Sequence, residues 1–301
     1  MINKFITILI FIATSYAITL QEAFDNASSY EEYEKYLVLE PNTIYTGGIG
    51  IYEGDVYINC QGSVIDLEEG NGIWIYGDVE YPSSLDIEYC TITNGSYYGL
   101  SFGGLAIGNI VNCNLINTNF GLKLFDVVDV FVTNSIFAEN STYVIGVYGE
   151  NTTLETSYSL LWENLESDCM ENCPGWGNIW TPLELSPGNG ILYEDPQFID
   201  SENFNFQLSE TSPCINSGNP EQNFDYDGTI SDIGANPFSN DSCSTSGDLN
   251  NDGSTNVLDV VELVNCILFN NGCTICFDIN NDQEYNVLDV LNIINLIINW
   301  K

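Results

Sequence analysis

Two short stretches near the C-terminus carry side-chain oxygens at a spacing that suits a divalent cation. The first runs from Asp248 to Asp259 and the second, thirty residues later, from Asp278 to Asp289. Calcium takes six to eight hard oxygen ligands. Positions 1, 3 and 5 of the first stretch supply Asp248, Asn250 and Asp252; position 7 offers the carbonyl of Ser254, position 9 is Asn256, and position 12 is Asp259, whose carboxylate can bind through both oxygens. The second stretch supplies Asp278, Asn280, Asp282, the carbonyl of Glu284, Asn286 and Asp289. Gly253 at position 6 admits the sharp turn, whereas Gln283 holds that place in the second copy and tightens the demand on its backbone. Between 248–268 and 278–298, 11 of 21 residues are identical, which marks a duplication.

Each oxygen-rich loop runs into an apolar helix. Val257, Val260, Val261, Val264, Ile267 and Leu268 are spaced as one broad face, and Val287, Val290, Leu291, Ile294, Ile297 and Ile298 repeat it. Two such helices pack together only if the loops are held, so ion binding and folding are expected to be coupled. Loop then helix, with Asp at position 12 and no preceding helix, resembles a type I dockerin over about residues 247 to 300. The resemblance implies a small all-α unit with two EF-hand-like calcium sites. It also implies a cohesin-like or other surface protein as partner. It places Val257-Leu258 and Val287-Leu288 where partner choice is set. Cellulosomal members usually carry small polar residues there, with basic residues further along the helix. Here the helix offers Asn265 and Cys266, which points to a diverged partner or to plain anchoring.

Upstream, from Val56 to about Asn164, the chain reads as short β-branched and aromatic runs broken by Gly and Asn. An apolar column recurs at Val64, Ile92, Leu115, Ile136 and Leu160, with gaps of 28, 23, 21 and 24 residues. A second column recurs in Gly72–Tyr76, Gly99–Phe102, Gly121–Phe125 and Val144–Tyr148. Alternation there puts Ile73, Leu100, Leu122 and Ile145 on one face, with Ile75, Phe102, Leu124 and Val147 beside them. A repeat of roughly that length, built from short strands, predicts a parallel solenoid whose turns bury their apolar faces by stacking. Asn94, Asn112, Asn114, Asn117 and Asn134 suit its turns, because Asn tolerates left-handed conformations. An antiparallel sandwich is the alternative arrangement. The repeats resemble the right-handed parallel β-helix proteins of the pectate-lyase-like type, over about residues 40 to 238. The stretch from Asp195-Pro196-Gln197-Phe198 through Ser212-Pro213-Cys214 to Asp232-Ile233-Gly234-Ala235 is similar to their closing segment. That resemblance implies an all-β right-handed parallel β-helix; it speaks to fold far more than to activity.

The alternation that buries Ile73 and Ile75 turns Trp74 and Tyr76 outward, and the same register exposes Lys123, Phe125 and Tyr148 on later coils. Stacked turns bring these into one ladder, suited to sugar rings, with Lys123 able to meet a carboxylate. Catalytic residues are harder to find. Lyase-type sites need a strong base with cationic help, yet between 18 and 238 the only cations are Lys35 and Lys123. Asp126 and Asp129 are the nearest carboxylate candidates for a hydrolase, and both read more naturally as turn residues. No catalytic residue is assigned.

Composition narrows the partners. There are 43 acidic residues against four lysines, with no arginine or histidine, and the net charge is −39. Nucleic acid and anionic lipid are excluded as partners, because phosphate recognition needs Lys and Arg. The chain opens with Lys4, an apolar run from Phe5 to Ala13 and then Ser15-Tyr16-Ala17, the layout of a secretory signal cut after Ala17. No later stretch is long and apolar enough to span a bilayer. Ten cysteines in a secreted chain suggest disulfides. Cys169 and Cys173 could pair, while Cys243, Cys266, Cys273 and Cys276 cluster near the end. Glycosylation acceptor triplets start at Asn26, Asn94, Asn140, Asn151 and Asn240.

The expected organisation is a signal peptide at 1–17, a β-helix domain at 18–238, a linker at 239–246 and a calcium-binding module at 247–301. Three readings of function follow. One is a secreted or surface protein that binds polysaccharide or an extracellular partner. Another is a dockerin-bearing polysaccharide-degrading enzyme. The third is a structural or adhesive extracellular protein.

Overall fold

The computed structural model describes residues 18–149, 151–164, 179–180, 188–222, 224–225, 229–238, 247, 249, 255–269, 275–280 and 285–299. The signal segment, the linker, Cys169, Cys173, Cys243 and Cys273 lie outside the described residues.

The chain winds about six times into a parallel β-solenoid with three strands per turn. The first row of strands includes Ile44–Thr46, Val64–Asp66, Ile136–Ala138 and Leu160–Trp162; the second includes Gly50–Ile51, Ile73–Gly77 and Tyr143–Val147. Two long strands, Thr91–Gly104 and Asn114–Leu124, serve both rows and pair with each other through a bulge between Gly95 and Tyr98. A third row runs through Tyr33–Val38, Gly54–Asn59, Ser83–Glu88, Ile107–Val111, Asp129–Thr133 and Thr153–Ser157. The all-parallel pairing along this path excludes the sandwich.

The second-row columns hold residue for residue: Ile73, Leu100, Leu122 and Ile145 are register partners, as are Ile75, Phe102, Leu124 and Val147, and all are buried. The first-row column needs correction. The inward residues are Ile65, Ile92, Leu115, Phe137 and Leu161, which pair in register. Val64, Ile136 and Leu160 lie one position away, on the outer face. The slip has a physical cause, because this row is buried on both sides. Phe206, Leu208, Cys214 and Ile233 of the closing segment pack on Val64, Ile116, Ile136, Ala138 and Leu160, so alternation alone does not mark the inside.

Polar turns hold the coils in register. Asn94, Asn117, Asn112 and Asn134 occupy the left-handed region, with φ between 48° and 60°. Asn114 departs from that expectation: it opens a strand, is buried, donates to Thr91 Oγ1 and accepts the Ala235 N–H. Asn112 donates to the carbonyl of Asp232 at 2.9 Å, and the buried Asp232 carboxylate accepts the N–H groups of Asn216 and Phe238. The Asp232–Ala235 motif thus stitches the closing segment onto the turns. Asn140 is buried, accepts from Thr118 Oγ1 and donates to Asn164 and to the Leu115 carbonyl. A glycan on Asn140 is incompatible with this packing, whereas Asn26 is exposed. At the other end of the solenoid, helix α1 (Leu20–Asn26) is capped by Thr19, and Lys35 donates to the carbonyls of Phe24, Asp25 and Ala27.

Cys60 and Cys90, on successive coils, form a disulfide. Cys113 and Cys214 are free and buried, and Cys266 and Cys276 are disulfide-bonded. Burial pushes the thiols of Cys113 and Cys214 up to about 12, against roughly 8.5 for an ordinary cysteine. The folded state therefore keeps protons that the unfolded chain loses above its own pKa. This contribution to stability is complete below about pH 8.5 and is lost progressively as pH rises toward 12. Iodoacetamide at pH 8 is expected to leave both thiols unmodified until denaturant is added; mass spectrometry of the native protein checks this.

The C-terminal segment forms two helices, α2 (Val257–Phe269) and α3 (Val287–Asn299), which pack on each other. Their shared core is Leu263, Cys266, Phe277 and Ile293, flanked by Val260, Ile267, Val290 and Ile297. The broad apolar face expected from the sequence is thus split. Val260, Ile267, Val290 and Ile297 turn inward, while Val257, Val261, Leu268, Val287, Leu291 and Ile298 are exposed. Both sides of each helix are rich in aliphatic residues, so spacing could not choose between them.

Candidate functional site

The outer face of the second row is built by alternation. Gly50, Trp74, Ser101, Lys123 and Gly146 are register partners on successive coils and point away from the buried column. Small residues in this row leave space for large neighbours. A Cβ on Gly103 would lie 2.9 Å from the Trp74 ring, and one on Gly146 would lie 2.8 Å from Phe120 and 3.2 Å from Tyr148. The rings therefore settle over the glycines of the adjoining coil.

All five residues anticipated on this face meet there. Trp74 is 6.2 Å from Tyr76 and 6.0 Å from Phe125 between ring centroids, and Phe125 stacks on Tyr148 at 5.0 Å. Lys123 Nζ lies over Phe120, Phe125 and Tyr148 at 4.4, 5.5 and 5.3 Å from their centroids. Burial among these rings lowers the pKa of the ammonium, and cation–π contact holds its charge in place of a carboxylate. Sequence reasoning missed Phe120 and Tyr98. They are register partners of each other, and Phe120 pairs on with Tyr143. The signal was an aromatic two positions ahead of each inward aliphatic, in Tyr98-Gly99-Leu100, Phe120-Gly121-Leu122 and Tyr143-Val144-Ile145. Beside Trp74 the face opens into a groove of about 550 Å³, lined by Trp74, Tyr98, Phe125, Tyr52, Gln21 and Asn71 with the glycines of two coils.

The carboxylates fall elsewhere. Asp126 is a turn residue with φ 63°, and its Oδ2 accepts the Gly104 N–H. Asp129 opens the third-row strand that follows and pairs with Ile107 and Thr153. A carboxylate pair that the sequence did not suggest stands on the third row. Asp86 accepts from Tyr33 Oη and from Asn109, and Glu88 accepts from Tyr57 Oη and from Asn59. Burial and the adjoining carboxylates raise the pKa of both tyrosines above the ordinary value.

In the C-terminal segment the two halves repeat the same bonds. Asp259 accepts the Leu249 N–H on Oδ1 and the Asn256 N–H on Oδ2, at 2.8 and 2.7 Å. Asp289 accepts the Ile279 N–H on Oδ1 and the Asn286 N–H on Oδ2, at 2.8 and 2.9 Å. Asn256 and Asn286 cap their helices by accepting from Leu258 and Leu288. Asp259 and Asp289 have no solvent exposure, and Asp278 is nearly buried. The segment 247–300 contains no lysine or arginine. Buried charges are as a rule paired or bound to metal, no Lys or Arg is at hand in this segment, and the side chains on offer are all hard-oxygen ligands, so the residues in place fit calcium. Asn256, Asp259, Asp278, Asn280, Asn286 and Asp289 would contribute to holding it; Asp248, Asn250, Asp252, Ser254, Asp282 and Glu284 lie outside the described residues.

Residues 246–298 match the type I dockerin domain family. Among solved structures, the crystal structure of pectate lyase Pel9A is similar over 73% of this chain and 91% of that one, at 13% identity and a TM-score of 0.28; the solenoid itself is defined by the strand pairing above. No curated protein matches the chain. Fold and matched domain together define the class, a parallel β-solenoid protein with a C-terminal type I dockerin domain. Type I dockerin domains bind calcium and pair with cohesin modules. Among the described residues, no helix is long and apolar enough to cross a membrane.

Proposed function

We propose that this is a secreted or cell-surface protein that binds polysaccharide along the aromatic face of its solenoid. The dockerin module attaches it, in a calcium-dependent way, to a cohesin-like or other surface protein. The observation that carries this reading is the convergence of Trp74, Tyr76, Lys123, Phe125 and Tyr148 into one contiguous outer surface. Aromatic rings on a rigid scaffold offer flat apolar area at low entropic cost, which suits the C–H faces of sugars. Two calcium ions, one per loop, complete the module. The ligands are Asp248, Asn250, Asp252, Ser254, Asn256 and Asp259 in the first loop and Asp278, Asn280, Asp282, Glu284, Asn286 and Asp289 in the second.

Disulfides support an oxidising compartment, and a cut after Ala17 leaves Ile18, the first residue of the first strand, at the mature N-terminus. The proposed units are 18–238, a linker at 239–246, and 247–301. Val257-Leu258 and Val287-Leu288 are exposed and present an apolar docking surface to the partner.

The reading is tested by incubating the full chain, with calcium, on neutral and acidic glycans. Retention on a glycan without new reducing ends is the expected result. Product release would instead favour a dockerin-bearing hydrolase, for which Asp86 and Glu88 on the third row are the supporting observation. In that event Glu88→Gln should abolish the release.

A further inference from the structure

We infer that the groove beside Trp74 takes a neutral glycan chain and rejects polyuronates. This rests on the polysaccharide-binding reading and names its ligand class. The chain carries 43 acidic residues, yet no Asp or Glu lines this groove. Its walls are the rings of Trp74, Tyr98, Tyr52 and Phe125, with the amides of Gln21 and Asn71 at the edge. Among the described residues, the Trp74 indole N–H, the Tyr52 and Tyr98 hydroxyls and the Asn71 amide make no hydrogen bond to the rest of the protein. They are neutral donors and acceptors beside exposed ring surface, the complement of an uncharged polyhydroxylated chain. The volume, about 550 Å³, falls within the usual range for small-ligand clefts, roughly 300–1,000 Å³.

Charge decides against a polyanion. The groove offers no cation, and Lys123, behind Phe125, is held by three rings. A polyuronate would have to approach a molecule of net charge −39, whose field acts over a screening length of about 8 Å at physiological salt. A neutral chain meets no such barrier and still gains the ring contacts.

Affinity electrophoresis of the full chain with calcium, in gels containing xyloglucan, glucomannan or mixed-linkage glucan on one side and polygalacturonate or alginate on the other, tests this. Retardation is expected in at least one neutral gel and in neither acidic one. Trp74→Ala is expected to weaken it about tenfold, or 1.4 kcal/mol. Tyr52→Ala, at a residue 62% exposed and outside the core, should weaken it without risk to folding. Retardation in the acidic gels with none in the neutral ones would overturn the neutral class and leave polysaccharide binding standing. Neutral retardation unaffected by either substitution would overturn the groove as the site. Mobility unchanged in every gel would overturn both readings.

Discussion

Adding a calcium chelator to the full chain is expected to remove the helical signal of the C-terminal module while the β-signal of the solenoid persists. The module's core is small: four fully or nearly buried side chains, Leu263, Cys266, Phe277 and Ile293, between two helices whose outer sides remain apolar and exposed. A core of that size does not sustain a domain without staples; the disulfide bonding of Cys266 and Cys276 supplies one kind, and the ions in the loops supply the other. Asp259 and Asp289 are fully buried and pull the loop amides inward. Without a cation the burial of these charges is opposed by their desolvation, so ion release and unfolding go together. Asp289→Ala removes an anchor of the second loop. It should weaken calcium uptake by at least ~10–100-fold, the loss that even outer-shell partners of a metal site incur. Far-UV circular dichroism with and without chelator, and calcium calorimetry on the variant, check both.

Phe102→Ala is expected to cost the solenoid about 3–5 kcal/mol. Phe102 is fully buried in the middle of the second row. Its ring reaches across the interior to the third row, where a Cβ on Gly108 would lie only 2.4 Å from it. Gly108 pairs in register with Leu85 and Val130, so the phenylalanine fills the space that a larger residue holds in the neighbouring coils. The two positions should therefore couple. Gly108→Ala is strongly destabilising alone but should restore part of the stability when Phe102 is a leucine, a non-additivity that urea denaturation of the double-mutant cycle measures.

This compensation shows why the third row was not legible. One of its two inward columns reads Val56, Leu85, Gly108, Val130 and Leu154, and there a glycine breaks the apolar pattern for a reason that lies on the opposite wall, although the other column, Ile58, Ile87, Ile110 and Val132, is aliphatic throughout. The second row was legible because every inward residue is aliphatic or aromatic and every run is entered by the same alternation. The first row slipped by one residue because the closing segment buries its outer face as well. In the module, both helices follow directly from the sequence. Their inward faces did not, since valine and isoleucine occur on all sides and only Leu263, Ile293 and the bonded Cys266 mark the contact.

The ligand face divides in the same way. Trp74, Tyr76, Lys123, Phe125 and Tyr148 obey strand alternation, so their convergence could be anticipated. Tyr98 and Phe120 sit at the bulge between two rows, where the period of two is interrupted. Tyr52 stands just outside a two-residue strand. The stacking of coils, rather than strand alternation, brings Tyr52 and Tyr98 to the groove.

Oxidative footprinting of the full chain, with calcium, alone and bound to a retained polysaccharide, tests polysaccharide binding on the aromatic face most directly. Protection is predicted at Trp74, Tyr76 and Tyr148, with Tyr36 and Tyr57 on the third row unchanged. Protection confined to the third row, or an identical oxidation pattern at Trp74, Tyr76 and Tyr148 in the bound state, would contradict it.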